Sequence, residues 1–188
     1  PVPLLINLYA SRQRMAWALG CASLAEAVAK IEEPLKMGPP AGLWDKVRML
    51  GKLKGWGEAM PRSVKGGACQ EIVIQGDELD KRGLLDVMPV LTTWPGDGGP
   101  YITLPLVITR NPDGGRRNIG MYRMQVYDGR TTGMHWHIHK DGSHYFNEYQ
   151  EAGKRMPVAV AIGADPATVY AATAPMPRGV DEMLLAGF

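Results

Sequence analysis

The period of apolar and polar positions changes part-way along the chain, from helical spacing before Lys54 to shorter strand-like runs after Cys69. The opening apolar run, Pro3 to Tyr9, predicts a short strand. Ser11 is a candidate N-cap for a helix over Arg12 to Leu19 that ends at Gly20, so the first elements read as a βα unit. Ser23 with Glu26 forms a capping box for a helix over Leu24 to Ile31, which Pro34 is expected to terminate. A third helix is predicted from Leu43 to Lys54, with Leu43, Val47, Leu50 and Leu53 as its apolar face. Pro61 to Gly67 is polar and glycine-containing, and is read as a linker between domains.

Beyond Cys69, Gln70 to Ile74 predicts a strand, and Gly76 to Lys81 a turn or short helix leading to Leu84, Leu85 and Val87. Leu91 to Pro100, which holds Trp94-Pro95, is a loop. Tyr101 to Thr109 predicts a strand, placed at an edge or bulge by Pro105. The turn Asn111 to Gly115 then delivers Arg116 and Arg117, as phosphate contacts or as solvated turn residues, to a predicted hairpin over Asn118 to Asp141 that turns at Asp128-Gly129. In its second run Met134, Trp136 and Ile138 alternate with His135, His137 and His139, which sends the two sets to opposite faces of a strand. An amphipathic helix follows over His144 to Lys154, with Tyr145, Tyr149 and Ala152 on one side, and then a buried strand over Val158 to Ile162. Asp165 and Pro166 begin a helix continuing over Ala167 to Ala174, Met176 to Gly179 is a turn, and Asp181 to Ala186 opens a last helix with Glu182 in its first turn. Helices first and a mainly antiparallel strand region afterwards read as α+β.

Composition narrows the function. The 188 residues are 45% hydrophobic, enough for one substantial domain or one with part of another. No run is long enough for a transmembrane helix and the opening lacks a basic signal-peptide region, so the expected location is cytoplasmic. Cys21 and Cys69 form no motif and are expected to be buried, inert thiols. A net charge of +2 without a dense basic tract argues against nucleic acid as partner and leaves a small anionic ligand as the better fit. Both ends run directly into apolar patterns, which is read as a fragment of a longer protein.

The candidate chemistry lies in the hairpin. Three imidazoles about 7 Å apart along a strand could face a metal or an anion, or could form an exposed polar face. Arg123, in a mostly apolar run, is expected to meet an anion, either a ligand or a protein carboxylate, because an unpaired buried guanidinium is costly.

Asn118-Ile119-Gly120-Met121-Tyr122-Arg123, then Trp136, then His139-Lys140, then Met156 to Pro166, resemble the UbiD family of prenylated-FMN-dependent carboxy-lyases. Gln70-Glu71, Thr93-Trp94-Pro95 and Glu182 extend the resemblance in the same order. It implies a partial N-terminal α/β domain with its linker over residues 1–68, and over 69–188 a C-terminally truncated split β-barrel of the flavin-binding type. Asn118, His139 and Glu182 match the ligands of a divalent metal, Mn²⁺ or Mg²⁺, that clamps the cofactor phosphate. Met121, Tyr122 and Arg123 match one cofactor-lining segment; His135, Trp136, His137, Lys140 and Asp141 match the other. Arg123 matches the catalytic arginine that holds the substrate carboxylate. The resemblance further implies an aromatic or unsaturated carboxylic acid as substrate, such as a polyprenyl-hydroxybenzoate of quinone biosynthesis. A flavin prenyltransferase would supply the cofactor, and the full-length protein would be a homo-oligomer. The family's acidic pair lies beyond this chain, so the chain alone is expected to bind cofactor better than it catalyses. Two departures stand out. Lys140-Asp141 occupies a place where many members have a basic residue followed by glycine, with Gly142 one position late. Asn118 and Arg123 also differ by an odd number, so a bulge at Gly120, or Asn118 just ahead of the strand, is expected. The alternatives are a non-catalytic split-barrel flavin-binding module and a tri-histidine metalloprotein of the cupin type.

Overall fold

The computed structural model describes residues 5–35, 57, 59–83, 88–176 and 180–188. The predicted helix Leu43 to Lys54, the positions Leu84, Leu85 and Val87, and most of the turn after Met176 lie outside the described residues. The chain divides into two compact units. One gathers the described residues of Pro1–Pro61, Asp165–Met176 and Val180–Phe188; the other is built on Arg62–Ala164.

In the first unit, α1 (Arg12–Ala18) starts where the Ser11 hydroxyl accepts the Arg14 N–H, and stops before Gly20, whose φ of 66° ends the turn. For α2 (Leu24–Leu35), the Ser23 hydroxyl accepts from the Glu26 N–H at 3.2 Å while the Glu26 carboxylate accepts from the Ala22 N–H at 2.9 Å, so the box closes one residue early. The Ala22 N–H, then Lys30, hold Glu26 below the usual carboxylate range. This helix runs past Pro34 rather than ending before it. Near a C-terminus the missing N–H of proline removes a single bond from the ladder. Asp165 caps α5 (Pro166–Ala171) through the Thr168 N–H at 3.0 Å, and Asp181 caps α6 (Glu182–Ala186) through the Met183 N–H at 3.0 Å. Burial pushes the Asp165 carboxyl up, but its hydrogen bonds from Thr168 and neighbouring backbone outweigh that and leave it lowered. The predicted opening strand is absent over its described part: Leu5 and Ile6 are exposed, and Asn7 sits at φ 55°, which breaks an extended run.

The second unit carries two three-stranded antiparallel sheets, ordered β1-β4-β5 and β3-β2-β6. The strands are β1 (Tyr101–Ile102), β2 (Leu106–Arg110), β3 (Arg117–Met121), β4 (Met124–Val126), β5 (Thr132–Met134) and β6 (Ala159–Ala161). The predicted strand Tyr101 to Thr109 is therefore two strands in different sheets, divided at the buried Pro105, which has no N–H for a ladder. The first run of the predicted hairpin divides likewise, after Met121, so the parity conflict between Asn118 and Arg123 is resolved by a change of sheet and not by a bulge at Gly120. Ile102, Val107, Tyr122 and Met124, close to these two crossings, pack together as a core cluster with Trp136 and Met134 against them.

The β4–β5 hairpin is present, but its turn is longer than the two residues expected: the Tyr127 N–H reaches the Thr131 carbonyl at 3.1 Å. Asp128 organises the turn by accepting from the N–H groups of Arg130 and Thr131 at 2.8 and 2.7 Å and from the Thr131 hydroxyl at 2.6 Å. Gln70 to Ile74 forms no strand. Ala68–Gln70 is a 3₁₀ turn, Ile72 and Val73 are exposed, and a lone apolar run without a partner strand has no ladder to join. A short helix, α3 (Asp77–Arg82), forms where a turn or short helix was expected. β6 lies at the edge of its sheet with Val158, Val160 and Ile162 exposed, where a buried strand was expected. Cys69 is exposed, contrary to expectation, while Cys21 is buried.

Candidate functional site

Three alternate positions on one face of β3 and its extension build the centre of the site. Asn118, Gly120 and Tyr122 share that face, and opposite them on β2 the register places Thr109 against Asn118 and Val107 against Gly120. Without a Cβ at Gly120 the Tyr122 ring folds back over the backbone; an added methyl there would collide with its edge atoms. The phenol oxygen thereby comes to 3.5 Å from Asn118 Nδ2, which also donates to Thr109 Oγ1 at 3.4 Å. Asn118 and Thr109 are only 5% and 1% exposed. A buried carboxamide is tolerable here because its N–H₂ group has two acceptors.

The same tyrosine reaches the second predicted segment. Its oxygen accepts from the Gly142 N–H at 3.3 Å, in the first turn of α4 (Asp141–Glu151), which packs on β2 and β3. Helix α4 begins three residues earlier than the predicted His144, with Lys140 at its N-cap making no capping bond of its own, and the Tyr122 hydroxyl takes the Gly142 N–H instead. A Cβ at Gly142 would stand 3.1 Å from the Tyr122 ring, so the ring would have to give by a few tenths of an ångström. Trp136 meets Tyr122 edge-on at 6.1 Å between centroids and Phe146 at 5.5 Å. Its indole nitrogen is buried with no acceptor among the described residues.

The three histidines lie beyond the end of β5 rather than on a strand, and all are exposed. Their rings still form a row, with centroids 5.1 Å apart from His135 to His137 and 5.7 Å from His137 to His139. The row hangs on two backbone bonds, His135 N–H to the Arg123 carbonyl and Lys140 N–H to the His137 carbonyl. Among the described residues no three His, Cys, Asp or Glu side chains are grouped to hold a metal.

Arg123 is exposed at the step between β3 and β4, so the desolvation argument made for a strand residue does not apply to it. Its guanidinium carbon lies 5.3 Å from the centroid of the Tyr101 ring. The Tyr101 hydroxyl donates to Gln125 Oε1 at 3.1 Å, and Gln125 Nε2 donates to the Gly98 carbonyl at 2.8 Å, so the loop after Trp94 supports the ring under the arginine. Met121 ends β3, half-buried. Glu182 is buried in the first turn of α6, in the first unit, whereas Asn118 and His139 belong to the second.

The structure thus joins Asn118, Tyr122, Trp136 and the start of α4 through direct contacts, gathers His135, His137 and His139 in a row, and sets Arg123 on Tyr101. The sequence reading missed Thr109 and Tyr101. A lone threonine in the apolar run Leu106 to Ile108 was the available signal for the first; nothing marked the second. The donors suit a flavin phosphate and a hard divalent cation. Among the described residues the buried Trp136 indole N–H has no acceptor, and the Asn118 amide oxygen is a ligand type such a cation takes.

Comparison with known proteins places the fold in a family. Residues 62–188 match the family model of the 3-octaprenyl-4-hydroxybenzoate carboxy-lyase Rift-related domain. An uncharacterized protein of Archaeoglobus fulgidus is 42% identical over 188 residues, which cover all of this chain and 37% of that protein. Among solved structures, the UbiD-class enzyme HmfF from Pelotomaculum thermopropionicum in complex with FMN is 27% identical with a TM-score of 0.65, over 95% of this chain and 35% of that one. An evolved dimeric form of HmfF in complex with prFMN is 26% identical with a TM-score of 0.66, over 96% and 37%. The apo 3,4-dihydroxybenzoic acid decarboxylase AroY of Klebsiella pneumoniae is 25% identical with a TM-score of 0.70, over 98% and 34%. The chain therefore spans little more than a third of the length of these relatives. With mixed α and β architecture and a family match over most of its length, this chain belongs to the UbiD carboxy-lyase family.

Proposed function

We propose that this chain forms the cofactor-binding portion of a decarboxylase that uses prenylated FMN and Mn²⁺ and acts on an aromatic or α,β-unsaturated carboxylic acid, with a polyprenyl-hydroxybenzoate as the first substrate to test. The observation that carries the reading is the contact chain from Asn118 through Tyr122 to Trp136 and Gly142, because it binds the two cofactor segments named from sequence into one structure. Asn118, His139 and Glu182 are the proposed metal ligands. Met121, Tyr122, His135, Trp136, His137, Lys140 and Asp141 are proposed to line the cofactor, within a split-barrel domain over residues 69–188 that follows a partial α/β domain.

Prenylated FMN supplies an electron sink for the charge left on carbon when CO₂ departs. The chain's part is to bind and orient. Arg123, permanently charged and exposed beside Tyr101, offers a bidentate fork to the substrate carboxylate. The Trp136 N–H offers the cofactor a donor that the described protein groups leave unused. We further propose a cytoplasmic, homo-oligomeric protein whose cofactor comes from a flavin prenyltransferase.

The test is to mix the protein with Mn²⁺ and prenylated FMN and record its ultraviolet-visible spectrum and native mass, with Asn118→Ala in parallel. Flavin retained only when Mn²⁺ and Asn118 are both present supports the reading. Flavin retained equally by the variant and without metal would leave an ordinary flavin-binding module.

A further inference from the structure

Asn118 Nδ2 donates to two hydroxyl oxygens, Thr109 Oγ1 at 3.4 Å and Tyr122 Oη at 3.5 Å, while its Oδ1 accepts from no described residue. Tyr122 is itself fixed, since its oxygen accepts the Gly142 N–H at 3.3 Å and its ring lies over Gly120. Thr109 is fixed by the β2–β3 register and is almost wholly buried. A carboxamide can turn about its last torsion and exchange nitrogen for oxygen, and only the oxygen can ligate a hard cation.

We infer that Thr109 is a positioning residue, which acts with Tyr122 to hold the Asn118 carboxamide with its nitrogen toward the hydroxyl pair and its oxygen presented to the metal. This rests on the proposed role of Asn118 as a Mn²⁺ ligand. Outer-shell partners of this kind typically change metal affinity by 10- to 100-fold when removed.

Thr109 carries the test because Tyr122 also lies in a proposed cofactor segment. Mn²⁺ affinity is measured by electron paramagnetic resonance titration in the presence of prenylated FMN, on the parent protein, Asn118→Ala, Thr109→Val and Thr109→Ser, with Tm for each. Valine keeps the volume and removes the acceptor; serine keeps the acceptor and removes a buried methyl. The expected result is Mn²⁺ binding weakened by roughly 10- to 100-fold in Thr109→Val and close to the parent's in Thr109→Ser. Serine should nonetheless lower Tm by about 2–4 °C through the cavity it leaves. A structural role alone would make affinity follow Tm, with serine the weaker binder, and that order overturns the inference. Loss of Mn²⁺ in Asn118→Ala with both Thr109 variants unchanged also overturns it while leaving Asn118 as a ligand. An unchanged Asn118→Ala removes the ligand role, and the positioning role with it.

Discussion

Tyr122 is held by groups that have little freedom to move: the backbone at Gly120, the N–H of Gly142 and the Asn118 amide. Gly120→Ala should therefore cost about 1–3 kcal/mol in chemical denaturation, because a methyl under the ring forces the phenol off its hydrogen bonds. Should Gly120→Ala leave both stability and flavin binding intact, the close approach is not what the position requires. Trp136 gives a complementary case. Trp136→Phe keeps an aromatic ring against Tyr122 and Phe146 but removes the N–H together with part of the bicyclic ring system, so stability should fall by about 1–3 kcal/mol, and prenylated-FMN affinity, read where the variant is fully folded, by about tenfold, the weight of one hydrogen bond. Equilibrium titration monitored by flavin absorbance reads this directly. The one signal for Thr109 in the sequence was a hydroxyl closing an apolar run, and such a residue declares its partner only once the strand register is known.

Among the elements, capping was the most legible feature. Ser11, Asp165 and Asp181 each start the helix expected of them, since a cap is decided by residues within three positions of one another. Asp165→Ala should lose about 1 kcal/mol, read as a lower urea midpoint, because the α5 N-terminal N–H groups lose their acceptor. The strands were harder to read. Two continuous apolar runs each divide between two sheets, and the division depends on which strand lies alongside, which no local pattern records. The β4–β5 turn supplies a pH test. Hydrogen bonds from the Thr131 side chain, then the N–H groups of Arg130 and Thr131, hold Asp128 below the usual carboxylate range. A carboxyl lowered on folding stabilises the turn above its unfolded pKa, and that contribution fades as pH falls through the lowered folded value. Protection of the Tyr127 amide from hydrogen exchange, taken relative to its intrinsic rate at each pH, should fall in that acid range, and in Asp128→Asn should lose this pH dependence.

For the whole molecule, no described helix is long and apolar enough to cross a membrane, and the apolar residues Val158, Val160 and Ile162 stand exposed on an edge strand. Val160→Lys should raise the concentration at which the protein begins to self-associate, seen by light scattering, since a charge on an edge strand blocks pairing with another chain. What the sequence determined by itself was local or motif-borne: the helix starts, the Asn111 to Gly115 turn, the glycine-ended α1, and the two segments whose residue order carries the family resemblance. Only the tertiary structure decided that Tyr122 lies over Gly120 and joins Asn118 to α4, that Arg123 rests exposed on Tyr101 rather than buried in a strand, and that the three histidines form a row without a strand beneath them. The physical reason is separation along the chain. Caps and turns are fixed by neighbours a few residues apart, whereas a strand's sheet, its register and the burial of its polar groups depend on partners that are brought together only by the fold.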